Sequence, residues 1–431
     1  MKTKQMKVKN NKLYLGSFSL DELKEKYKTP LYVYDEEEIK EKITKYNLAL
    51  NNSKINGHVV YASKAFIAPY LIKILNDLNG YIDATSIGDL YIINKSNFPM
   101  ERVVLHGNNK SFDDLEYALV NNVGYIVCDN ITELNNLLSL CEKHNKKVKT
   151  LFRVNPGIDA HTHKFIQTSK LDSKFGESIY DDEKIKEIIH FYQNQNYMTL
   201  NGMHAHIGSQ ITGKESFISL AKTMAKFYKD LYDKYNISFD IIDFGGGIAI
   251  KYLDSDTEPD INDIVTSMID TFSRELKNTK IKVTEVFLEP GRSIVGDSGI
   301  TIYTCGGVKK TVTGKEYAFI DGGMSDNIRP SLYGALYSID NASNYDGEKK
   351  AYDIAGKHCE SGDIIIKDAL ITAPKIGDTL CVYSTGAYCY SMSMNYNGLT
   401  RPGVVFVSGD KAKVVIERET LEDLAKTCVF D

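Results

Sequence analysis

Short runs of β-branched and aromatic residues alternate with longer amphipathic stretches through most of the chain. Runs at 58–62, 81–84, 102–105, 125–128, 148–154, 203–207, 239–244 and 283–288 read as eight strands. Segments long enough for helices lie between most of them, as at 68–75 and 217–235. Parallel neighbours need a crossover between them, so alternating β and α units predict a parallel sheet. Eight such units predict an α/β protein built on a closed (β/α)8 TIM-type barrel, and residues 36–296 match its usual length. After Ser298 the pattern changes. Strand-like runs at 300–304, 317–320, 363–367, 379–383, 404–407 and 413–416 follow with few helix-length segments between them. That predicts a second, mostly antiparallel β domain. Residues 1–35 carry strand-like runs at 13–15 and 31–34 and join it, giving a β domain of 1–35 and 297–431.

At 431 residues the chain exceeds one ordinary core, which agrees with two domains. Hydrophobic residues at 42% and charged residues at 25% describe a soluble globular protein. A net charge of −5 argues against nucleic-acid and acidic-membrane partners. The opening Met1-Lys2-Thr3-Lys4-Gln5-Met6-Lys7 is basic, but the apolar run of a signal peptide does not follow. Nothing approaches the roughly 20 apolar residues of a membrane helix. The seven cysteines form no C-x-x-C pair, so neither a disulfide framework nor a zinc site is expected, and a cytoplasmic location fits. Cys128, Cys141 and Cys381 lie on apolar runs and read as core, while His58, His144 and His190 read as structural or solvated.

The candidate chemistry crowds the C-terminal ends of the expected barrel strands, where the loops of such a barrel converge. Lys64 follows the first strand, and Asp83 and Ser86 mark the end of the second. His106-Gly107-Asn108-Asn109-Lys110 follows the third and Arg153-Val154-Asn155-Pro156-Gly157 closes the fifth. His206-Ile207-Gly208-Ser209-Gln210, Asp243-Phe244-Gly245-Gly246-Gly247 and Glu289-Pro290-Gly291-Arg292 end the last three. Singly, each has a bland reading: a solvated lysine, a flexible triple glycine, a surface ion pair. Together on one rim they make a coherent site. Glycines leave backbone N–H groups open to an anion, and the loops after strands seven and eight often hold phosphate. Arg292 can add a charge-assisted contact there. A carboxylate such as Glu289 beside a pyridine nitrogen favours its protonated form, which makes the ring an electron sink. A lysine opposite can form a Schiff base, and an imidazole such as His206 can stack on the ring.

With these motifs the sequence resembles the barrel-type (fold-type III) pyridoxal-phosphate (PLP) decarboxylases of amino acids, most closely the branch acting on meso-2,6-diaminopimelate. The likeness runs from about Thr29 to Phe430. Besides the rim motifs it rests on Tyr61-Ala62-Ser63-Lys64-Ala65, His204-Ala205-His206, Arg329-Pro330-Ser331-Leu332-Tyr333, Cys359-Glu360-Ser361-Gly362-Asp363 and Gly386-Ala387-Tyr388. The resemblance implies that Lys64 carries PLP, that His206 lies against its ring and that Glu289 pairs with its nitrogen. It places Ser209, Gly246, Gly291 and Arg292 around the cofactor phosphate, with Asp83, Gly245, Gly247, Pro290 and Tyr388 also lining the cofactor. It assigns the substrate to Arg292, Arg329, Tyr333, Glu360 and Tyr388, and the proton returned after CO₂ leaves to Cys359. Cys359 and Glu360 are implied to reach the partner's site in a homodimer. His161 and His163 are implied to lie in a loop over the active-site mouth, and no metal is expected. Phe66 departs from the family's usual Asn, and Ile87 and Asp89 from its usual Gly and Glu.

Charge argues the substrate. A distal carboxylate needs a cation, supplied by Arg329 with the hydroxyl of Tyr333, and a distal ammonium needs an anion, supplied by Glu360. An ornithine-type enzyme needs the anion without the extra arginine. Alanine racemase shares the barrel but typically sets an arginine at the ring nitrogen, against Glu289 here. Relatives that only bind a partner protein usually lose PLP-binding groups. Lys64, Glu289, Arg292, Cys359 and Tyr388 are all present.

Overall fold

The structure is a computed structural model and describes residues 2–53, 55–158 and 173–430. The chain divides into two compact units. One comprises Lys42–Ala249 and Glu258–Ser293, the other Met1–Glu41, Ile250–Thr257 and Ile294–Asp431.

The first unit is a closed parallel barrel. Its strands are Asn56–Ala62, Tyr81–Ala84, Val103–Leu105, Tyr125–Cys128, Val148–Asn155, Met198–His204, Ile241–Asp243 and Glu285–Leu288. Each pairs in parallel with the next, and Glu285–Leu288 pairs with Asn56–Ala62 to close the ring. Side chains alternate across a strand, so one parity points inward. The inward set includes Val60, Val104, Val127, Leu151, Ile241 and Phe287, which pack as one cluster with Tyr81 against it. Moving two residues along each strand keeps the parity and climbs one layer. That layer reads Ala62, Asp83, His106, Asp129, Arg153, His204, Asp243 and Glu289. The barrel interior therefore changes from apolar to polar in a single step toward its C-terminal end.

The surrounding helices start where short polar residues can cap them. Ser86, Ser111, Asn130 and Asp260 each accept a backbone N–H of the first helical turn through the side chain, and Pro69 opens its helix at the first position. Packing adds more than capping. Helix Ile261–Leu276 buries Ile264, Val265, Met268, Ile269, Phe272 and Leu276 along one stripe. Each such side chain contributes about 1.5–3 kcal/mol, against about 1 kcal/mol for a cap.

The sixth strand differs from its expected span of 203–207. It runs Met198–His204, with a bulge between Leu200 and Gly202. Thr199, Asn201 and Gly202 hid the strand from a hydrophobicity reading, and Ile207, although fully buried, lies in the following loop.

The second unit is mostly antiparallel. Its main sheet is built around Gly299–Lys310, which pairs antiparallel with Leu31–Asp35, Glu316–Ile320 and Thr379–Val382. Two pairings are parallel, Leu31–Asp35 with Gly403–Ser408 and Glu316–Ile320 with Lys349–Ala355. A small antiparallel sheet of Met6–Lys9, Lys12–Leu15 and Phe18–Ser19 leads into helix Leu20–Tyr27 through a Ser19–Glu22 capping box. Leu13, Leu15, Leu20, Leu23, Val33, Ile300, Ile302 and Val407 form its core. No described helix is long and apolar enough to cross a membrane.

Candidate active site

The polar layer of the barrel gathers residues far apart in sequence. Glu289 sits at its centre, buried, with its two oxygens facing different imidazoles. His106 Nε2 lies 2.6 Å from Oε1, and His204 Nε2 lies 3.2 Å from Oε2. Asp243 belongs to the same group, since one donor atom from each of these four side chains falls within 4.8 Å of the others. Burial works to raise the Glu289 carboxyl, but His106 and His204 outweigh it and hold it well below the usual carboxylate range. Asp83 and Asp243 go the other way, pushed well above that range by burial and then by the Glu289 charge. Burial drives the His106 imidazole down to about 4 against the pull of Glu289, so it stays neutral near pH 7. The layer thus holds four buried carboxyls, of which Glu289 is shifted down while Asp83, Asp129 and Asp243 are shifted up.

Lys64 lies in the short 3₁₀ turn Ser63–Ala65 just past the first strand, which Tyr61 pins by donating its hydroxyl to the Phe66 carbonyl at 2.7 Å. Its charge is felt at Asp83, His204 and His206. The backbone N–H of Gly246 donates to His206 Nδ1 at 3.2 Å, so a neutral ring carries its proton on Nε2. Burial first, then Lys64 and Arg153, hold that ring well below the ordinary histidine range.

The triple glycine is required by close approach. A Cβ on Gly246 would stand 2.1 Å from the Glu289 carbonyl oxygen, and Gly245 turns through φ +63° with Asp243 Oδ1 accepting its N–H at 2.8 Å. Arg292 follows Pro290 and Gly291 and donates from Nε (3.3 Å) and Nη2 (3.2 Å) to Ser209 Oγ. The barrel residues fit PLP. A buried ionised carboxylate can meet a ring N–H, a lysine stands on the same rim, and an Arg–Ser pair adjoins a glycine turn suited to a phosphate. Asp83 Oδ1, buried and without a hydrogen bond among the described residues, is a further polar atom of this layer.

In the other unit the helix Arg329–Tyr333 places Arg329 and Tyr333 four residues apart, on one face. The Arg329 guanidinium lies 5.2 Å from the Tyr333 ring and 5.3 Å from the Tyr388 ring, and its Nε donates to the Tyr337 hydroxyl at 3.1 Å. Tyr388 holds φ +65°, uncommon for a bulky residue. Cys359 and Glu360 are exposed on the connection before strand Ile364–Thr372. That connection is anchored by Asp363. Its carboxylate accepts the backbone N–H of Met324 (2.7 Å) and of His358 (3.0 Å) and faces His358 Nδ1 at 2.7 Å. Asn397 Oδ1 accepts the Cys359 N–H at 3.0 Å.

His161 and His163 lie outside the described residues. Cys128, Cys141 and Cys381 are buried thiols, as expected of core residues. His58 and His144 face Glu285 and Glu116 at 3.5 Å and 2.5 Å. Sequence reasoning gave no role to His106, His204, Asp243, Tyr337 or Asp363. The signal for the first three was available in their parity, each lying two residues beyond an inward position of its strand.

The family described as "Pyridoxal-dependent decarboxylase, pyridoxal binding domain" matches residues 36–296. The diaminopimelate decarboxylase of Staphylococcus aureus is 40% identical over 96% of this chain and 97% of its own length. That of Bacillus subtilis is 39% identical over 96% and 94%. Among solved structures, diaminopimelate decarboxylase from M. jannaschii in co-complex with L-lysine superposes with a TM-score of 0.93 at 30% identity, covering 99% of this chain and 98% of that one. The Helicobacter pylori enzyme complexed with L-lysine gives 0.86 at 30% identity, covering 94% and 98%. Sequence and fold agree over nearly the whole length, and the chain belongs to the diaminopimelate decarboxylase family of PLP-dependent decarboxylases.

Proposed function

We propose that this chain decarboxylates meso-2,6-diaminopimelate to L-lysine and CO₂, the last step of lysine biosynthesis, using PLP bound in the barrel. The observation that carries the reading is the buried Glu289, whose two oxygens face two imidazoles and whose carboxyl is shifted down where its neighbours Asp83 and Asp243 are shifted up. PLP, when bound, supplies the sink for the electron pair released as the bond between Cα and the carboxylate breaks. Glu289 would accept the ring N–H and keep that nitrogen protonated, which an arginine in its place could not do. Lys64 would hold the cofactor covalently and His206 would lie against its ring. Ser209, Gly245, Gly246, Gly247, Pro290, Gly291 and Arg292 would cradle its phosphate end, and Asp83 and Tyr388 would line it.

Arg329 and Tyr333 take the distal carboxylate of the substrate, Glu360 its distal ammonium, and Arg292 and Tyr388 complete the grip. The Arg329 terminal nitrogens carry no protein hydrogen bond among the described residues although the residue is buried, which suits an anion-binding role. Cys359 returns a proton to Cα once CO₂ has left, so one carbon–carbon bond is exchanged for one carbon–hydrogen bond. The active assembly in this reading is a homodimer in which Cys359 and Glu360 complete the partner's site. Seven free thiols suit a reducing cytoplasm.

The deciding assay is CO₂ release from meso-diaminopimelate, L-lysine, L-ornithine and L-arginine, with and without added PLP. PLP-dependent release is expected to be fast from diaminopimelate and far slower, though measurable, from L-lysine. A preference for ornithine or arginine overturns the substrate, and no release from any of them overturns the reaction.

A further inference from the structure

His106 and His204 have no place in the assignment above, yet both touch the one carboxylate on which it rests. They come from the ends of the third and sixth barrel strands, and Glu289 comes from the end of the eighth. Their Nε2 atoms stand 2.6 and 3.2 Å from opposite oxygens of the same carboxylate, and their rings meet edge to face with centroids 4.9 Å apart. We propose that His106 and His204 are positioning residues that clamp Glu289 between two imidazoles, fixing its orientation and favouring its charged form. The inference rests on reading Glu289 as the partner of the ring nitrogen.

Every charged group facing Glu289 bears on this. Asp243 on the seventh strand, Asp83 on the second and Asp129 just past the fourth are competing carboxyls, and Arg153 on the fifth and Lys64 past the first are the cations. His206 adds a neutral ring. Carboxyls gathered in one buried layer disfavour one another's charged forms. His204 hydrogen-bonds Glu289 Oε2, and His106 Nε2 stands 2.6 Å from Oε1 without hydrogen-bond alignment. Among the described residues neither ring comes as near to another carboxylate, so these contacts single out Glu289. A neutral imidazole with its proton on Nε2 donates without adding a charge, which suits His106, driven down to about 4 by burial. Without the clamp, the negative charge can pass to Asp83 or Asp243, and Glu289 takes up a proton and ceases to accept one from the ring.

The experiment compares His106→Leu and His204→Leu with His106→Gln and His204→Gln, whose amides retain an N–H donor. PLP affinity is read by visible absorbance titration of the apoprotein across mildly acidic to neutral pH, alongside the acid limb of the kcat profile. Each Leu variant is expected to lose about 10- to 100-fold in PLP affinity, the scale of a lost hydrogen bond to a charged group. Its acid limb should move to higher pH, and the Gln variant should recover most of both. Folded Leu variants that match the wild type overturn the clamp, as do Gln variants no better than Leu. Glu289→Gln separates the two levels. If it too is silent, the reading of Glu289 itself has failed. If it is damaging while the Leu variants are silent, only the clamp has failed. Should the Leu variants not fold, the infrared difference spectrum between wild-type and Glu289→Gln apoprotein decides. Loss of an ionised carboxylate band at mildly acidic pH is expected, and loss of a protonated carboxyl band instead overturns the proposal.

Discussion

Replacing Arg329 tests the substrate through one contact. Its guanidinium is buried, flanked by the rings of Tyr333 and Tyr388, and tied at Nε to Tyr337. With Nε engaged, the two terminal nitrogens form the fork that meets a carboxylate. Arg329→Ala removes a charge-assisted contact worth about 1.5–3 kcal/mol, so kcat/KM for meso-diaminopimelate should fall about 10- to 150-fold. A substrate without the distal carboxylate never had the contact and should lose little. L-Lysine is such a substrate, and CO₂ release from the two gives the ratio that decides. Arg329→Lys should behave nearly as badly, because a point charge cannot hold Tyr337 and a carboxylate together. Tyr337→Phe should cost the diaminopimelate reaction about 2- to 10-fold, the scale of a neutral hydrogen bond of about 0.5–1.5 kcal/mol. Equal losses on both substrates, or a fall in melting temperature large enough to account for them, would refute the assignment of Arg329 to the distal carboxylate.

Three further outcomes are expected. Lys64→Ala should lose the visible absorbance of bound PLP and nearly all turnover; mixed with inactive Cys359→Ala under demonstrated subunit exchange, it should regain activity if sites are shared across a dimer, and no regain refutes sharing. Gly246→Ala puts a Cβ 2.1 Å from the Glu289 carbonyl oxygen, so about 1–3 kcal/mol of stability and much of the bound PLP should be lost, whereas Gly88→Ala, 3.5 Å from Ser86 Oγ, should leave both intact; melting temperature and PLP content read the contrast. Burial raises the Asp326 carboxyl from 3.8 to about 7, so its contribution to stability is complete below pH 3.8 and is lost as pH rises through about 7, at most about 4 kcal/mol; Asp326→Asn should therefore flatten the decline of melting temperature between those limits, and an unchanged decline refutes the cause.

Much of the fold is legible in the sequence because barrel strands are short apolar runs bounded by polar ends. Where that signal weakens, so does the reading. Met198–His204 begins before its expected span because Thr199, Asn201 and Gly202 interrupt the apolar run. Strand Lys349–Ala355 was missed because its first three residues are exposed, two of them lysines. Helix Arg329–Tyr333 is too short for any periodicity to register.

The site divides along a different line. Lys64, the triple glycine and the run from Glu289 to Arg292 stand out because each is a local motif with its own chemistry. His106, His204 and Asp243 gain meaning only when the ring closes and brings strands three, six, seven and eight onto one layer. Parity is what connects the two kinds of evidence. Val104, Gly202, Ile241 and Phe287 lie inward, and two residues on come His106, His204, Asp243 and Glu289. An inward polar residue one step above an apolar layer must find its partner inside the barrel, since burial leaves it no water. A single strand shows only that such a residue exists. Eight strands in a closed register say which ones meet, and here they set two imidazoles against one carboxylate.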